Sequence, residues 1–321
     1  MDVQSCKSAP AGCPISQDWT IGVPTLVSFV AEFFIEKQKP MKTEKQKPTI
    51  IKSYKSPFGF YALSILIPWS LWFLAGYLSH MEPQTLQLEW ATGLISLAGL
   101  LAPVIIAISY ILPDKQLRSD FLGRFFNFKS IRGEYILVTF FLMLVSILAA
   151  QAVSLLFGYS AEQFALRGSY TFTSALFPVW FLLVISPLLE ELAWHSYGTD
   201  SLLSRFNLFT ASLLFAIFWG FWHLPLSFIK DYYHNNLVES GMIYSINFIV
   251  SLIPFVLIMN WLYYKTHRNI LLPIVFHITA GFFNEIFATH PMSKVIQTGL
   301  LLILSVYLVI KDKELFFQKV K

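Results

Sequence analysis

The sequence predicts an all-α integral membrane protein, built as a polytopic bundle of about eight transmembrane helices. Hydrophobic residues make up 55% of the 321-residue chain and charged residues only 13%, whereas soluble globular domains carry about 25% charged residues. The apolar residues are gathered into long uncharged runs, and about 20 such residues are enough for one helix to cross a bilayer. The formal net charge of +4 is too small to indicate a nucleic-acid partner, so the expected partner is the lipid bilayer.

Eight segments qualify or nearly qualify as spanning helices by length and composition. They are residues 60–79, 91–112, 135–158, 172–197, 208–228, 242–264, 270–288 and 295–310. The last segment is short but uninterrupted, so it completes an even number of spans.

The basic residues between these segments predict the orientation, because Lys and Arg concentrate on the cytoplasmic side of membrane proteins. With the N-terminus inside, the cytoplasmic pieces hold 20 of the 23 basic residues, and the other side keeps Arg167, Lys230 and Lys294. The pieces assigned to the cytoplasm are residues 1–59, 113–134, 198–207, 265–269 and 311–321. The prediction is therefore a protein of the bacterial cell membrane with both termini in the cytoplasm.

The two ends of the chain differ from the apolar middle. Residues 1–55 are predicted to be a polar and basic extension that is largely disordered. Within it, the stretch 19–35 could form a helix in the membrane interface, or could span. Residues 56–311 form the transmembrane domain, and residues 312–321 a basic cytoplasmic tail.

Two adjacent carboxylates stand out in the fourth span, which ends SPLLEELAWHSYG. An ionisable residue inside a membrane costs roughly 2.5–3.5 kcal/mol on insertion scales, so Glu190 and Glu191 require partners or a water-filled cavity. His195 is one helical turn after Glu191 and can meet it on the same face. The pair of glutamates therefore indicates a site rather than a lipid-facing surface.

Two further spans carry polar residues of the same kind. FAIFWGFWHLPLSF places His223 in an aromatic run, one turn after Trp219 and two residues before Pro225. ILLPIVFHITAGFFNEIF places His277 and Asn284 on a single helical face. Counted along straight helices, His223 lies roughly twice as deep as His277, so convergence of these spans requires tilt or a break near Pro225.

If the three spans converge, the site contains the groups needed to activate water. A glutamate beside histidines can act as a general base, or can work through a bound divalent metal. A second histidine or an asparagine could donate a hydrogen bond to the developing oxyanion. Glu190, His223 and His277 could coordinate zinc, or could simply hydrogen-bond the water, and the sequence leaves both open.

The stretches EELAWHSYG, FWGFWHLPL and LLPIVFHITAGFFNE resemble the signatures EExxxR, FxxxH and HxxxN of the CPBP family of intramembrane proteases. This family is also called the Abi or CAAX-protease-and-bacteriocin-processing family, and the resemblance covers about residues 172–290. It implies that Glu190 activates the attacking water together with His223. It also implies that His277 is placed at the oxyanion or a metal, and that Glu191 has a supporting role.

Three positions depart from the family pattern. His195 stands where the family has arginine, although the spacing to Glu191 is kept, and an imidazole is not permanently charged. Trp219 replaces phenylalanine and keeps an aromatic group. Gly281 stands at the position of the expected asparagine, and Asn284, one turn further on, could substitute for it from the same face.

These features predict an intramembrane endopeptidase with a peptide or membrane-associated protein as substrate, through CAAX-type or bacteriocin-type processing. The site is expected to open toward the cytoplasm, because Glu190 and His277 are counted as lying near that side. The alternative is a non-catalytic immunity or scaffold protein of the same family, since the departures affect motif positions. A proton-coupled transporter is the third hypothesis, because membrane carboxylates and histidines also relay protons. The sequence leaves the substrate and the oligomeric state open.

Overall fold

The computed structural model describes residues 50–125, 127–128, 131–174 and 176–319. The N-terminal extension up to residue 49, including the possible interfacial helix 19–35, lies outside the described residues. All of the described residues belong to one compact unit.

The described part of the chain is helical, as predicted. In chain order the helices are α1 (Pro57–Ser79), α2 (Leu86–Ile111), α3 (Lys115–Phe125), α4 (Gly133–Leu155), α5 (Val179–Ala193), α6 (Thr199–Leu203), α7 (Leu208–Trp222), α8 (Tyr233–Ser240), α9 (Met242–Lys265), α10 (Leu271–Ile286), α11 (Pro291–Lys311) and α12 (Lys313–Phe317). The short α12 lies in the predicted tail. Each of the eight predicted spans corresponds to a helix, so the predicted fold class is confirmed.

Six segments in the described residues are long and apolar enough to cross a membrane. They are α1, α2, α4, α9, α11 and the stretch Leu208–Phe228 that contains α7. The helix α10 is a shorter apolar helix. The helix α5 is also short, but a π-helical turn at Trp194–Gly198 joins it to α6 and extends it to Leu203.

The fourth predicted span is displaced along the chain. Its helix begins at Val179 instead of residue 172, and it continues beyond residue 197. The start follows from Pro178, which has extended backbone at the N-cap, and a residue that precedes proline, here Phe177, is disfavoured in the helical conformation. Glu190 therefore lies about midway along the continuous α5–α6 segment rather than near its end.

Of the two alternatives, helix tilt or a break near Pro225, the structure shows the break. The helix α7 ends at Trp222, His223 is its C-cap residue, and Leu224–Phe228 forms a turn of 3-10 helix. Proline has no backbone N–H and its ring clashes with the preceding turn of an α-helix, which favours the end of α7 just before Pro225. The helices α1, α2, α5 and α9, by contrast, each continue through one interior proline. The break leaves His223 at a helix end, where its side chain can turn toward α5.

The helices α1 and α2 make a close contact beside the end of α7. The Trp72 indole N–H donates to the Ser96 carbonyl at 2.9 Å, and the Trp72 ring packs against Trp222 at 4.6 Å between centroids. A Cβ on Gly99 would lie 2.3 Å from Trp72 Nε1. Glycine at this position is therefore required for the approach of α2.

Arg124 of α3 secures the π-helical turn from the other side. Its guanidinium donates to the His195 carbonyl at 3.0 Å and to the Ser196 carbonyl at 2.8 Å. A π turn shifts the backbone hydrogen-bond register, and Arg124 satisfies carbonyls in that turn. Asp200 pairs with Arg124 at 2.8 Å and with Arg268 at 2.5 Å, and Asp120 pairs with the same two residues at 3.0 and 2.9 Å. Two carboxylates therefore neutralise the two buried guanidinium groups.

Candidate active site

Three helical segments bring their polar side chains into one cluster. Glu190, Glu191 and His195 come from α5 and the π turn, Trp219 and His223 from the end of α7, and His277 from α10. All but His277 are buried, and His277 is half-buried. The structure therefore brings together six of the seven side chains that the sequence singled out, while Asn284 lies further along α10.

Glu190 faces the end of α7. Its Oε2 accepts a hydrogen bond from Trp219 Nε1 at 2.8 Å and lies 3.8 Å from His223 Nε2. The His223 Nδ1 lies 2.7 Å from the Trp219 carbonyl, which can only accept, so Nδ1 carries the proton. In neutral His223 the Nε2 lone pair then points toward the carboxylate. Two acceptors 3.8 Å apart do not bond directly, but one water molecule can donate to both.

Glu191 binds two histidines, one through each oxygen. Its Oε1 accepts from His277 Nδ1 at 2.8 Å, and its Oε2 makes a short hydrogen bond to His195 Nδ1. The motif comparison gave Glu191 only a supporting role, without partners on another helix. In the structure it is the residue that joins α5 to α10.

His195 is held on its other side by Asn260 of α9, a residue that the sequence analysis did not single out. The His195 Nε2 lies 3.0 Å from Asn260 Oδ1, and Asn260 Nδ2 donates to Ser212 Oγ at 2.8 Å. The Ser212 hydroxyl gives its only proton to the Leu208 carbonyl at 2.7 Å, so it must accept from the amide. This fixes the amide oxygen toward His195.

The consequence is that both ring nitrogens of His195 face acceptors. Glu191 supplies a carboxylate on one side and Asn260 an amide oxygen on the other. An imidazole satisfies two acceptors only when both nitrogens carry hydrogen. The hydrogen-bond chain therefore selects imidazolium at His195, the cationic form that can replace the arginine of the family signature.

Two cavities meet at this cluster. The larger, of about 460 Å³, lies between the end of α1, the start of α2, α5 and the end of α7. The smaller, of about 270 Å³, lies between α5, α9, α10 and the start of α11. Both are lined by Leu182, Ser186, Glu190, His223, Tyr232 and His234.

His234, another residue that the sequence analysis did not single out, lines both cavities. It comes from α8, in the loop sequence DYYHNN, where no helical spacing connects it to the motifs. Its ring stacks on His223 at 5.0 Å between centroids and packs edge-on against Phe248 at 4.9 Å. Only tertiary structure places it beside the site.

Gly281, Asn284 and Glu285 line the smaller cavity. The Asn284 amide donates to the Ala280 carbonyl at 3.0 Å, which uses one of its two hydrogens. Glu285 is held by the loop before α5, because the Thr171 N–H and hydroxyl donate to its carboxylate at 3.0 and 2.7 Å. The Glu285 carboxylate thus fastens a loop and is separate from the cluster around Glu190.

Glu190, His223 and His277 are the side chains that the sequence offers as metal ligands. Among the described residues, no three His, Cys, Asp or Glu side chains are grouped so that they could hold a metal ion. His277 Nδ1 is engaged by Glu191, and His223 Nδ1 by a backbone carbonyl. Among the described residues, Glu190, His223 and His277 therefore do not form a three-ligand metal site.

The cavities lie at one end of the bundle, opposite the basic loops. The lining of the larger cavity includes Gln84, Lys230 and Asp231 from the loops that follow α1 and α7. The charge count assigns these loops to the outer side, and it places both termini inside. On that orientation the larger cavity opens on the outer side, so the cytoplasmic opening and the cytoplasmic termini stay two separate predictions, which a labelling experiment can test. The depth count failed because Glu190 lies mid-segment, not near the end of its helix.

Two comparisons with known proteins bear on this site. The family described as type II CAAX prenyl endopeptidase, Rce1-like, matches residues 172–283. CAAX prenyl protease 2 of Methanococcus maripaludis is 37% identical over 273 residues, which cover 84% of this chain and 99% of that protein. This chain belongs to the Rce1-like family. The Rce1-like match includes every residue of the cluster, but it ends just before Asn284.

Membership of the Rce1-like family agrees with the apolar helices. The chain is an integral membrane protein of a protease family, and the resemblance found in the sequence is confirmed. Within this Rce1-like chain, His195 and Gly281 remain departures from the family signature. The hydrogen bonds of His195 explain the first departure, whereas Gly281 leaves the site without an amide at that position.

Proposed function

We propose that this protein is an intramembrane endopeptidase that cleaves a prenylated protein after its modified cysteine. The proposal is supported by membership of the Rce1-like family and by the likeness to CAAX prenyl protease 2 of Methanococcus maripaludis. The observation that carries it is the gap between Glu190 Oε2 and His223 Nε2, which are 3.8 Å apart where two cavities meet. A water molecule at this gap is polarised by both groups.

In the proposed reaction, Glu190 takes a proton from this water while His223 Nε2 orients it. The water oxygen attacks the carbon of the scissile peptide and forms a tetrahedral oxyanion. The peptide C–N bond then breaks, and the proton held by Glu190 passes to the leaving amine. Trp219 holds the carboxylate in place through its 2.8 Å hydrogen bond to Oε2.

Glu191 and His195 support this centre without touching the water. Glu191 fixes the ring of His277 through the 2.8 Å hydrogen bond to Nδ1. His195, held by Asn260, keeps Glu191 ionised and oriented. Such support keeps catalytic groups near their productive positions, where small displacements reduce the rate strongly.

The lining of the smaller cavity favours a lipid-modified substrate over an unmodified peptide such as a bacteriocin precursor. Aromatic and aliphatic side chains form much of its wall, among them Leu183, Phe248, Leu252, Phe255 and Leu301. An isoprenyl chain is apolar and gains free energy when such a surface removes it from water. The wall of the larger cavity includes polar groups from the start of α2 and the loop before α5, among them Thr92, Ser96 and Thr173, which suit the peptide.

The test uses purified protein in proteoliposomes and a farnesylated peptide that ends in three residues after its cysteine. Glu190→Gln keeps the size of the side chain but removes the base, so we expect kcat to fall by about 10²- to 10⁴-fold. Glu239→Gln is the matched control, because Glu239 is exposed on α8, and it retains native activity. Full cleavage by Glu190→Gln would refute the assignment of the base.

A second experiment tests whether the activity requires a metal ion, by adding the chelator EDTA. Because no three-ligand group is present among the described residues, we expect EDTA to leave the rate unchanged. Loss of activity with EDTA and recovery with zinc would instead assign a metal to the site.

The second candidate function is a non-catalytic scaffold or immunity protein, favoured by Gly281 at the position of the family asparagine. In that case neither the native protein nor Glu190→Gln cleaves the peptide, and both support the same cellular phenotype. Bound but uncleaved farnesylated peptide would be the positive sign of this function.

A further inference from the structure

The proposed reaction creates an oxyanion, and hydrogen bonds to that oxygen contribute strongly to catalysis. Neutral His223 has no N–H free for it, because its Nδ1 donates to the Trp219 carbonyl. Neutral His277 is in the same position, because its Nδ1 donates to Glu191. Gly281 has no side chain where the family signature has asparagine. The described cluster therefore lacks a neutral donor at the place where the charge develops.

His234 has the hydrogen-bonding capacity that the cluster lacks. Both of its ring nitrogens are shielded from solvent, and neither has a hydrogen-bond partner among the described residues. Buried polar atoms in folded proteins almost always have a partner, so a histidine that served only for packing would be expected to bond to its surroundings. Ten other buried side-chain atoms of the described residues also lack a partner, but of all these atoms only the His234 nitrogens belong to a residue that lines both cavities, where a substrate can supply the partner.

The position of His234 fits such a partner. Its ring lies parallel to that of His223, with an interplanar angle of 23°. It lines both cavities, as do Glu190 and His223. A peptide that reaches the water at Glu190 therefore passes the edge of the His234 ring.

His234 is neutral at ordinary pH, since burial lowers its pKa to about 3. A neutral imidazole has one N–H donor and one acceptor nitrogen. It can donate to an oxyanion without giving up a proton that the reaction needs elsewhere. Its stacking on His223 and its edge contact with Phe248 hold the ring in one orientation.

We infer that His234 is a further catalytic residue, whose ring N–H donates to the scissile carbonyl oxygen as it becomes an oxyanion. His234 thereby supplies the hydrogen bond to the oxyanion that Gly281, which has no side chain, cannot donate. This inference rests on the proposed function, because the oxyanion exists only if the peptide is hydrolysed.

The test compares His234→Phe with His234→Gln in the proteoliposome assay. Phenylalanine keeps the aromatic packing and removes the N–H, whereas glutamine keeps a donor. We expect His234→Phe to lower kcat by about 10²- to 10³-fold, as loss of one oxyanion donor does, with KM changed little because the ground-state carbonyl is bound weakly. We expect His234→Gln to recover at least a tenth of the native kcat.

His290→Phe is the control for the loss of an aromatic-packed histidine outside the two cavities: the His290 ring lies 4.5 Å from the Tyr159 ring, and its Nδ1 accepts from the Met292 N–H at the start of α11. It retains native kcat. Full activity of His234→Phe would overturn the inference, and so would a glutamine variant as inactive as the phenylalanine variant. If Asn284→Ala loses activity while His234→Phe does not, the donor is Asn284. Glu190→Gln is measured in parallel. Full activity of Glu190→Gln would refute the proposed mechanism. An inactive Glu190→Gln together with a fully active His234→Phe would refute only the role of His234.

Discussion

The buried contact between Glu191 and His195 makes a prediction that separates a charged pair from a packing contact. Both side chains have no solvent-exposed surface. Removing one partner of a buried ion pair costs about 3–5 kcal/mol, because the other charge stays buried without compensation. We therefore expect His195→Leu to lower the free energy of unfolding by about 3–5 kcal/mol.

The magnitude of this loss of unfolding free energy follows from the groups that His195→Leu leaves without a partner. Glu191 keeps one hydrogen bond, from His277 at 2.8 Å, and loses its cationic neighbour. Asn260 Oδ1 loses the ring 3.0 Å away, which leaves a buried acceptor unsatisfied. Ser196→Ala is the matched control within the same π turn, since it removes only local hydrogen bonds to Leu192 and Ala193, and about 0.5–1.5 kcal/mol is expected.

The assay is reversible unfolding in mixed micelles, applied to the native protein, His195→Leu, Glu191→Leu and the double variant. Charged residues in contact couple energetically. We therefore expect the double variant to lose less unfolding free energy than the two single variants together, by about 2 kcal/mol or more. A cost below about 1 kcal/mol for His195→Leu, together with additive single effects, would refute the imidazolium–carboxylate pair. His195 would then be a neutral packing residue.

Two further predictions concern packing and orientation. Gly99→Ala places a Cβ 2.3 Å from Trp72 Nε1, so we expect overpacking of about 1–3 kcal/mol in the same unfolding assay; unchanged stability would mean that α2 moves away freely. In a Cys6→Ser and Cys13→Ser background, the charge distribution predicts that an impermeant thiol reagent labels Gln84→Cys in intact cells and spares Lys313→Cys. The reverse pattern would put the cavities at the cytoplasmic face and show that the charge count misjudged this chain.

The helical framework could be predicted because it depends on local properties of the chain. Uncharged runs of spanning length gave the eight segments, and Pro225 gave the break after α7. The start of α5 was placed too early, because the apolar run at 172–178 continues the hydropathy of the helix. Hydropathy measures composition, whereas Pro178 determines where helical backbone can begin.

Part of the site could also be predicted, since charged residues in apolar segments are costly and therefore conspicuous. Glu190, Glu191, His223 and His277 were all found in this way, and the i,i+4 spacing gave the contact of Glu191 with His195. Asn260 escaped notice because it is a single uncharged polar residue in a long apolar helix. His234 escaped notice because it lies in the short polar helix α8 outside the apolar spans, where a histidine is not conspicuous.

The sequence by itself determined the membrane location, the helices and the residues able to activate water, because those follow from composition and from spacing along one helix. Only the tertiary structure decided which histidine meets which glutamate. Glu191 binds both His195 and His277, while Glu190 faces His223 across 3.8 Å. Contacts between helices depend on how far each helix rises, turns and breaks against its neighbours, and no single helix contains that information.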